Sequence, residues 1–181
     1  SRANPYTGEL YDADIRISAD FVRSFYREQT EFIAPILGQV SMDFEPEEPT
    51  KEFSSEMCQY GDHLREEMAS GWDVMTTTGV LKGTDEELQN YIHNGLIDLI
   101  LHEVGHTLGL RHNFKGSSIY SIEQLSDPKF TRQYGISGSV MDYQPINMFD
   151  KGKNFFQVKP GVYDIWAIQY GYSTFDSRSK K

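Results

Sequence analysis

The stretch His102-Glu103-Val104-Gly105-His106-Thr107-Leu108-Gly109-Leu110-Arg111-His112 decides the reading of this 181-residue chain, and three of the chain's five histidines fall within it. On a helix, residues four apart differ by roughly 40° in azimuth and about 6 Å in height, so His102 and His106 project side by side. Two imidazoles so related can grip one metal ion, with Glu103 beside an open coordination position. A continuing helix would carry His112 out of reach. A stop at Gly109, where glycine takes a left-handed conformation at little cost, lets the chain turn back and bring His112 to the same ion. Three neutral imidazoles and one open position form the donor set of a catalytic zinc centre, not of a closed structural one. The other histidines are poor ligand candidates: His93 faces about 180° away on the same helix, and His63 sits in a different, polar segment.

Working outward, Thr84 and Glu87 read as a capping box with Asp85 and Glu86 at the positive helix end, predicting a zinc helix over about 85–109. Ile97, Leu101, Val104 and Leu108 recur at three and four residues and predict its core face. Asp98 lies four residues before His102; it can hydrogen-bond a ligand imidazole, but an exposed or capping carboxylate is the preferred reading. Upstream, 4–10 is turn-rich, and Ile15 and Ile17 alternating with Asp14 and Arg16 predict a strand over 13–18. A helix carrying Phe21, Val22, Phe25, Phe32 and Ile33 follows, then a possible strand over 39–44, an acidic loop over 43–52, a helix over about 55–70 and a loop over 71–83. Residues 113–160 read as mostly irregular, and a last helix is expected near 161–171.

Composition bounds the function classes. Lys+Arg 17 against Asp+Glu 27 gives a net charge of −10, which argues against a nucleic-acid partner. With 38% hydrophobic and 13% aromatic residues the chain is too apolar for disorder, and no apolar run reaches the roughly 18 residues of a membrane span. No calcium-loop spacing is present. The single cysteine, Cys58, excludes an internal disulfide framework and a multi-thiolate zinc site.

HEVGHTLGLRH (102–112) resembles the extended zinc signature of the metzincin metalloproteases. Ser139-Val140-Met141-Asp142-Tyr143 resembles their Met-turn, in which a methionine forms an apolar floor beneath the metal. GVYDIWAIQYGY (161–172) is similar to their C-terminal helix. The longer string HEVGHTLGLRHNFKGS (102–117) is similar to a group of large bacterial secreted zinc-dependent metalloproteases. Asn113, after the third histidine, departs from the familiar branches. The resemblance covers about 84–172 well and is thin before 84.

The resemblance implies an α+β fold: a metzincin-like zincin catalytic domain, helix-rich, with a small or incomplete N-terminal mixed sheet. One domain over 1–181 is expected, with 1–112 an upper part and 113–181 a lower part holding the Met-turn and C-terminal helix. His102, His106 and His112 carry over as ligands of one catalytic zinc, Glu103 as general base and Met141 as the floor. Tyr143 carries over as a tyrosine that ligates the resting metal and then stabilises the oxyanion; otherwise it is a packed aromatic of the turn. Strand 13–18 becomes the candidate substrate-pairing edge. Since the chain opens on Ser1, missing strands are expected upstream, in a longer protein. No inhibitory-thiol motif of metzincin pro-segments surrounds Cys58, so it reads as a buried free cysteine. The implied function is a secreted or periplasmic zinc metalloendopeptidase acting on polypeptides. A zinc-stabilised non-catalytic binding module and a zinc amidase on a non-peptide substrate are the alternatives.

Overall fold

The computed structural model describes residues 2–17, 19, 21–23, 25, 58–149 and 154–174. Helices dominate. Strands β1 (Arg2–Ala3) and β2 (Leu10–Asp12) pair antiparallel. The turn-rich segment between them closes the hairpin, with Gly8 at φ 74. This two-stranded sheet is the sheet among the described residues, and with the helices it makes the helix-rich α+β fold with a small sheet that was expected, antiparallel where a mixed sheet was foreseen. Residues 13–17 are not strand, so the strand predicted over 13–18 is corrected, and with it the substrate-pairing edge. Alternation alone makes no strand without a partner to receive its hydrogen bonds. Residues 19, 21–23 and 25 have helical backbone, as predicted. Phe32, Ile33, strand 39–44 and the acidic loop 43–52 lie outside the described residues.

Helix α1 (Tyr60–Thr77) runs seven residues past the end predicted at 70, so most of the loop expected over 71–83 is helical. Its buried stripe explains the extension: Tyr60, Leu64, Met68, Trp72 and Met75 recur every three or four residues on one face. Gly71 belongs to that face, because a Cβ there would lie 2.9 Å from the Tyr91 hydroxyl. Helix α2 (Asp85–Thr107) begins where predicted: Thr84 Oγ1 accepts from the Glu87 amide at 3.3 Å, while the Glu87 carboxylate accepts from the Lys82 amide at 2.7 Å. It ends on Gly109 at φ 84, with Gly109 N–H bonded to His106 O and Leu110 N–H to Gly105 O, both at 3.0 Å. That pair of bonds is a Schellman cap.

The core face of α2 differs from the aliphatic stripe predicted. Tyr91, Ile92, Gly95, Asp98, Leu99, His102 and Gly105 are buried, whereas Ile97, Leu101 and Val104 are half-buried and Leu108 is exposed. Against α1, Met68 packs on Gly95, and the Tyr91 hydroxyl donates to Met68 O at 3.0 Å. Phe25, Ile146, Phe155 and Phe156 complete the core.

The segment read as mostly irregular contains a 3-10 turn (Gly116–Ser118) and two short helices, α3 (Ile122–Leu125) and α4 (Pro128–Tyr134). Ser121 and Gln124 form a full capping box on α3, and Asp127 caps α4 with Pro128 in its first turn. Helix α5 (Val162–Tyr172) lies where the last helix was expected. Its Tyr172 hydroxyl donates to Leu108 O at 2.9 Å, tying it to the end of α2. No helix among the described residues is long and apolar enough to cross a membrane.

Candidate metal centre

The buried face of α2 carries His102, fully enclosed, and one turn later His106, half-buried. The Schellman turn reverses the chain after Gly109, and His112 returns so that its Nε2 lies 3.1 Å from His106 Nε2. The same turn presents the Leu110 carbonyl to His106 Nδ1 at 3.1 Å, and the Val140 carbonyl holds His102 Nδ1 at 2.7 Å. A carbonyl only accepts, so both Nδ1 atoms carry protons and both Nε2 atoms present lone pairs inward. Burial, with His106 and His112 nearby, brings the His102 pKa down to about 4 against the opposing pull of Val140. Burial also lowers that of His112. Both rings are therefore neutral at pH 7, the form that binds a metal. Inward-facing lone pairs at hydrogen-bond distance fit a cation, and three imidazole nitrogens are a donor set suited to zinc.

Glu103 is half-buried, and its carboxylate acts electrostatically on Cys58, Tyr143 and His112, which places it facing the same space. The Tyr143 ring lies 4.9 Å from that of His112 and 5.6 Å from that of His102, centroid to centroid. Burial pushes its phenol well up, so it remains a protonated donor. Met141 is fully buried under the helix. A Cβ on Gly105 would stand 2.2 Å from its sulfur, so only a glycine there admits the thioether against the helix backbone. Asn113 N–H donates to Met141 O at 2.9 Å, joining the return segment after His112 to that turn. His93 is exposed and faces away. His63 stands behind Tyr143, ring centroids 5.7 Å apart, outside the histidine cluster.

Two readings of the sequence are corrected here. Asp98 is neither exposed nor capping: it is 1% exposed and accepts from Tyr60 Oη at 2.9 Å, Gln144 Nε2 at 3.0 Å and the Gln157 amide at 3.0 Å. It reaches the His102 imidazole through Tyr60, whose ring stacks on His102 at 4.2 Å. Cys58 is the free cysteine expected, but it is half-buried where a buried one was read, and it stands among the histidines. Its Sγ lies 3.3 Å from His102 Nε2, 3.5 Å from His112 Nε2 and 3.4 Å from the Tyr143 hydroxyl. Cys58, His102, His106 and His112 form a group able to hold a metal ion, with donor atoms all within 4.8 Å of one another. Burial raises the Cys58 thiol pKa.

Sequence reasoning also missed Asp164. From the first turn of α5, this buried carboxylate accepts from Ser139 Oγ at 2.6 Å, Val140 N at 2.8 Å and Gly161 N at 2.7 Å. It thereby fixes the turn whose carbonyl orients His102. An acidic residue three after Gly161, opening an apolar helix, was the available signal.

No curated protein and no solved structure matches the chain. A family model described as Met-zincin matches residues 84–181, which is more than half of the chain and spans all three converging histidines. The chain therefore belongs to the Met-zincin family, a family of metzincin-type zinc metalloproteases.

Proposed function

We propose that this chain is a zinc-dependent endopeptidase in which His102, His106 and His112 hold one zinc ion through Nε2, Glu103 is the general base and Tyr143 steadies the oxyanion. The observation that carries the reading is the convergence of three imidazoles beside a half-buried glutamate at the end of one helix. When bound, zinc lowers the pKa of a water from 15.7 to about 7 and polarises a peptide carbonyl.

The protein's own groups do the rest. Glu103 takes a proton from the attacking water at its carboxylate and hands it to the departing amine. The Tyr143 hydroxyl donates to the carbonyl oxygen as charge develops there. Met141 closes the floor beneath the imidazoles, and the carbonyls of Val140 and Leu110 hold two of the rings in register. Residues 1–181 act as one catalytic domain, and from the resemblance its place of action is outside the cytoplasm.

A second reading, a zinc-stabilised binding module without catalysis, has one observation in its favour: the Cys58 thiol among the imidazoles. Zinc content followed by a casein digestion separates the two. The endopeptidase binds one zinc per chain and releases peptides, and a chelator stops the release reversibly. A protein that binds zinc and leaves casein intact, with Cys58 present or replaced by alanine, is the module.

A further inference from the structure

We propose that His63 is a positioning residue for the reaction: together with Tyr60 and the Gln59 amide, at the start of α1, it holds the Tyr143 ring at the angle from which the hydroxyl meets the oxyanion. The inference rests on the part given to Tyr143 above and adds residues that lie outside the family match at 84–181.

Packing carries it. The turn at 139–143 fixes the backbone of Tyr143, but its side chain has torsions of its own, and only the neighbours can hold them. The ring is stacked on His63, with centroids 5.7 Å and planes 20° apart, and tilted on Tyr60 at 5.0 Å. Phe114 and His112 meet it edge to face at 5.4 Å and 4.9 Å. Two of these four rings come from the first turn of α1, and Tyr60 anchors that turn by being fully buried against His102.

The hydrogen bonds of the hydroxyl agree. The Gln59 N–H donates to the Tyr143 hydroxyl oxygen at 3.2 Å. That bond leaves the hydroxyl proton to be given away, and a hydroxyl that accepts one hydrogen bond donates the next more strongly. His63 acts through its ring face and not through a nitrogen. Its Nε2 is buried with no hydrogen-bond partner among the described residues. An aromatic ring without nitrogen should therefore serve as well, and it would leave no buried polar atom unpaired. The simpler alternative is that His63 only fills space between α1 and the turn, with no bearing on catalysis.

Steady-state cleavage of a peptide by zinc-loaded wild type, His63→Ala, His63→Phe, Tyr143→Phe and the double variant of His63→Ala with Tyr143→Phe separates the two. Tyr143→Phe is expected to lower kcat by about 10²–10³-fold, the scale of one oxyanion donor. His63→Ala should lower kcat about tenfold through misplacement of that donor. Its KM should not change, because the weakened interaction is made in the transition state. His63→Phe should keep the wild-type kcat, and in the Tyr143→Phe background His63→Ala should cost nothing further. A second readout needs no activity. In protein with isotope-labelled tyrosine, the Tyr143 signal is the one missing from Tyr143→Phe, and its order parameter should fall in His63→Ala and hold in His63→Phe.

A full kcat in His63→Ala, or an equal loss from it in the Tyr143→Phe background, would overturn the inference and leave Tyr143 in its role. His63→Phe as impaired as His63→Ala would also overturn it, by giving the effect to the nitrogen. An unchanged kcat in Tyr143→Phe would overturn the role of Tyr143, and the inference with it. Should His63→Ala not fold, His63→Leu fills the space without a flat face, and the same falls in kcat and order parameter are expected of it.

Discussion

His102 is held from three sides: the Val140 carbonyl on Nδ1, the Tyr60 ring on its face and the α2 backbone beneath it. Behind Tyr60, the carboxylate of Asp98 is buried deeply enough that its pKa rises to about 7, although Tyr60, Gln144 and Gln157 all donate to it. A folded-state pKa raised from the ordinary 3.8 means stability is fully present below that value and declines as pH climbs toward 7. In Asp98→Asn that decline should vanish. Thermal midpoints of both proteins between pH 4 and pH 7 check it; a slope unchanged in the variant would assign the ionisation elsewhere. Asp98 also explains why the core face of α2 was misread. Four of its seven buried positions are Gly95, Asp98, His102 and Gly105, which a hydrophobicity count scores as polar or small, so the aliphatic residues on the flank supplied the period. The sequence pattern located the histidines because their spacing is imposed by helix geometry. It missed Cys58 because no local spacing connects residue 58 to residue 102; only the packing of α1 on α2 does.

At the level of elements, the decisive unit is the turn at 139–143, clamped to the start of α5 by Asp164. Removing that carboxylate leaves buried donors unpaired, at about 1–3 kcal/mol each, and frees the carbonyl that orients His102. Asp164→Ala should therefore lose at least about 2 kcal/mol in denaturant unfolding and about 10–100-fold in zinc affinity. Lost stability with unchanged zinc affinity would mean that the clamp serves the fold alone. Gly161 sits at the same joint, and a Cβ there would stand 2.1 Å from the Gly138 backbone, which cannot move aside as a side chain can. Gly161→Ala should cost about 1–3 kcal/mol through overpacking, read by the same unfolding curves. Elements with strong end signals were legible: α2 from Thr84 and Gly109, and α5 near 161–171. Helices α3 and α4 had equally readable caps in Ser121–Gln124 and Asp127–Pro128 but are too short to show a hydrophobic period. The strand expected at 13–18 failed for the converse reason: a clear period with no partner strand among the described residues.

For the molecule as a whole, the half that follows Thr84 was the more legible because its zinc signature is written in local sequence. The helix, its stop, the returning histidine and the buried methionine each have a local chemical signature. Before residue 84 the order comes from the packing of α1, whose residues carry no such signature beyond a buried stripe. If the centre binds zinc in the folded state and not in the unfolded chain, zinc at a hundredfold excess over its Kd should add about 2.7 kcal/mol, or roughly 5–10 °C in Tm, and a chelator should remove it. Unfolding insensitive to both would argue against a preformed site. The central claim, hydrolysis of peptide bonds with Glu103 as the base, is tested most directly by mass-spectrometric mapping of cuts in a peptide library. Zinc-loaded wild type, Cys58→Ala and Glu103→Ala proteins would be compared. New peptide termini are expected with the first two, and a loss of about 10²–10⁴-fold with Glu103→Ala despite one bound zinc per chain. Zinc bound at that stoichiometry with no cuts by wild type or Cys58→Ala, or undiminished cuts by Glu103→Ala, would contradict it.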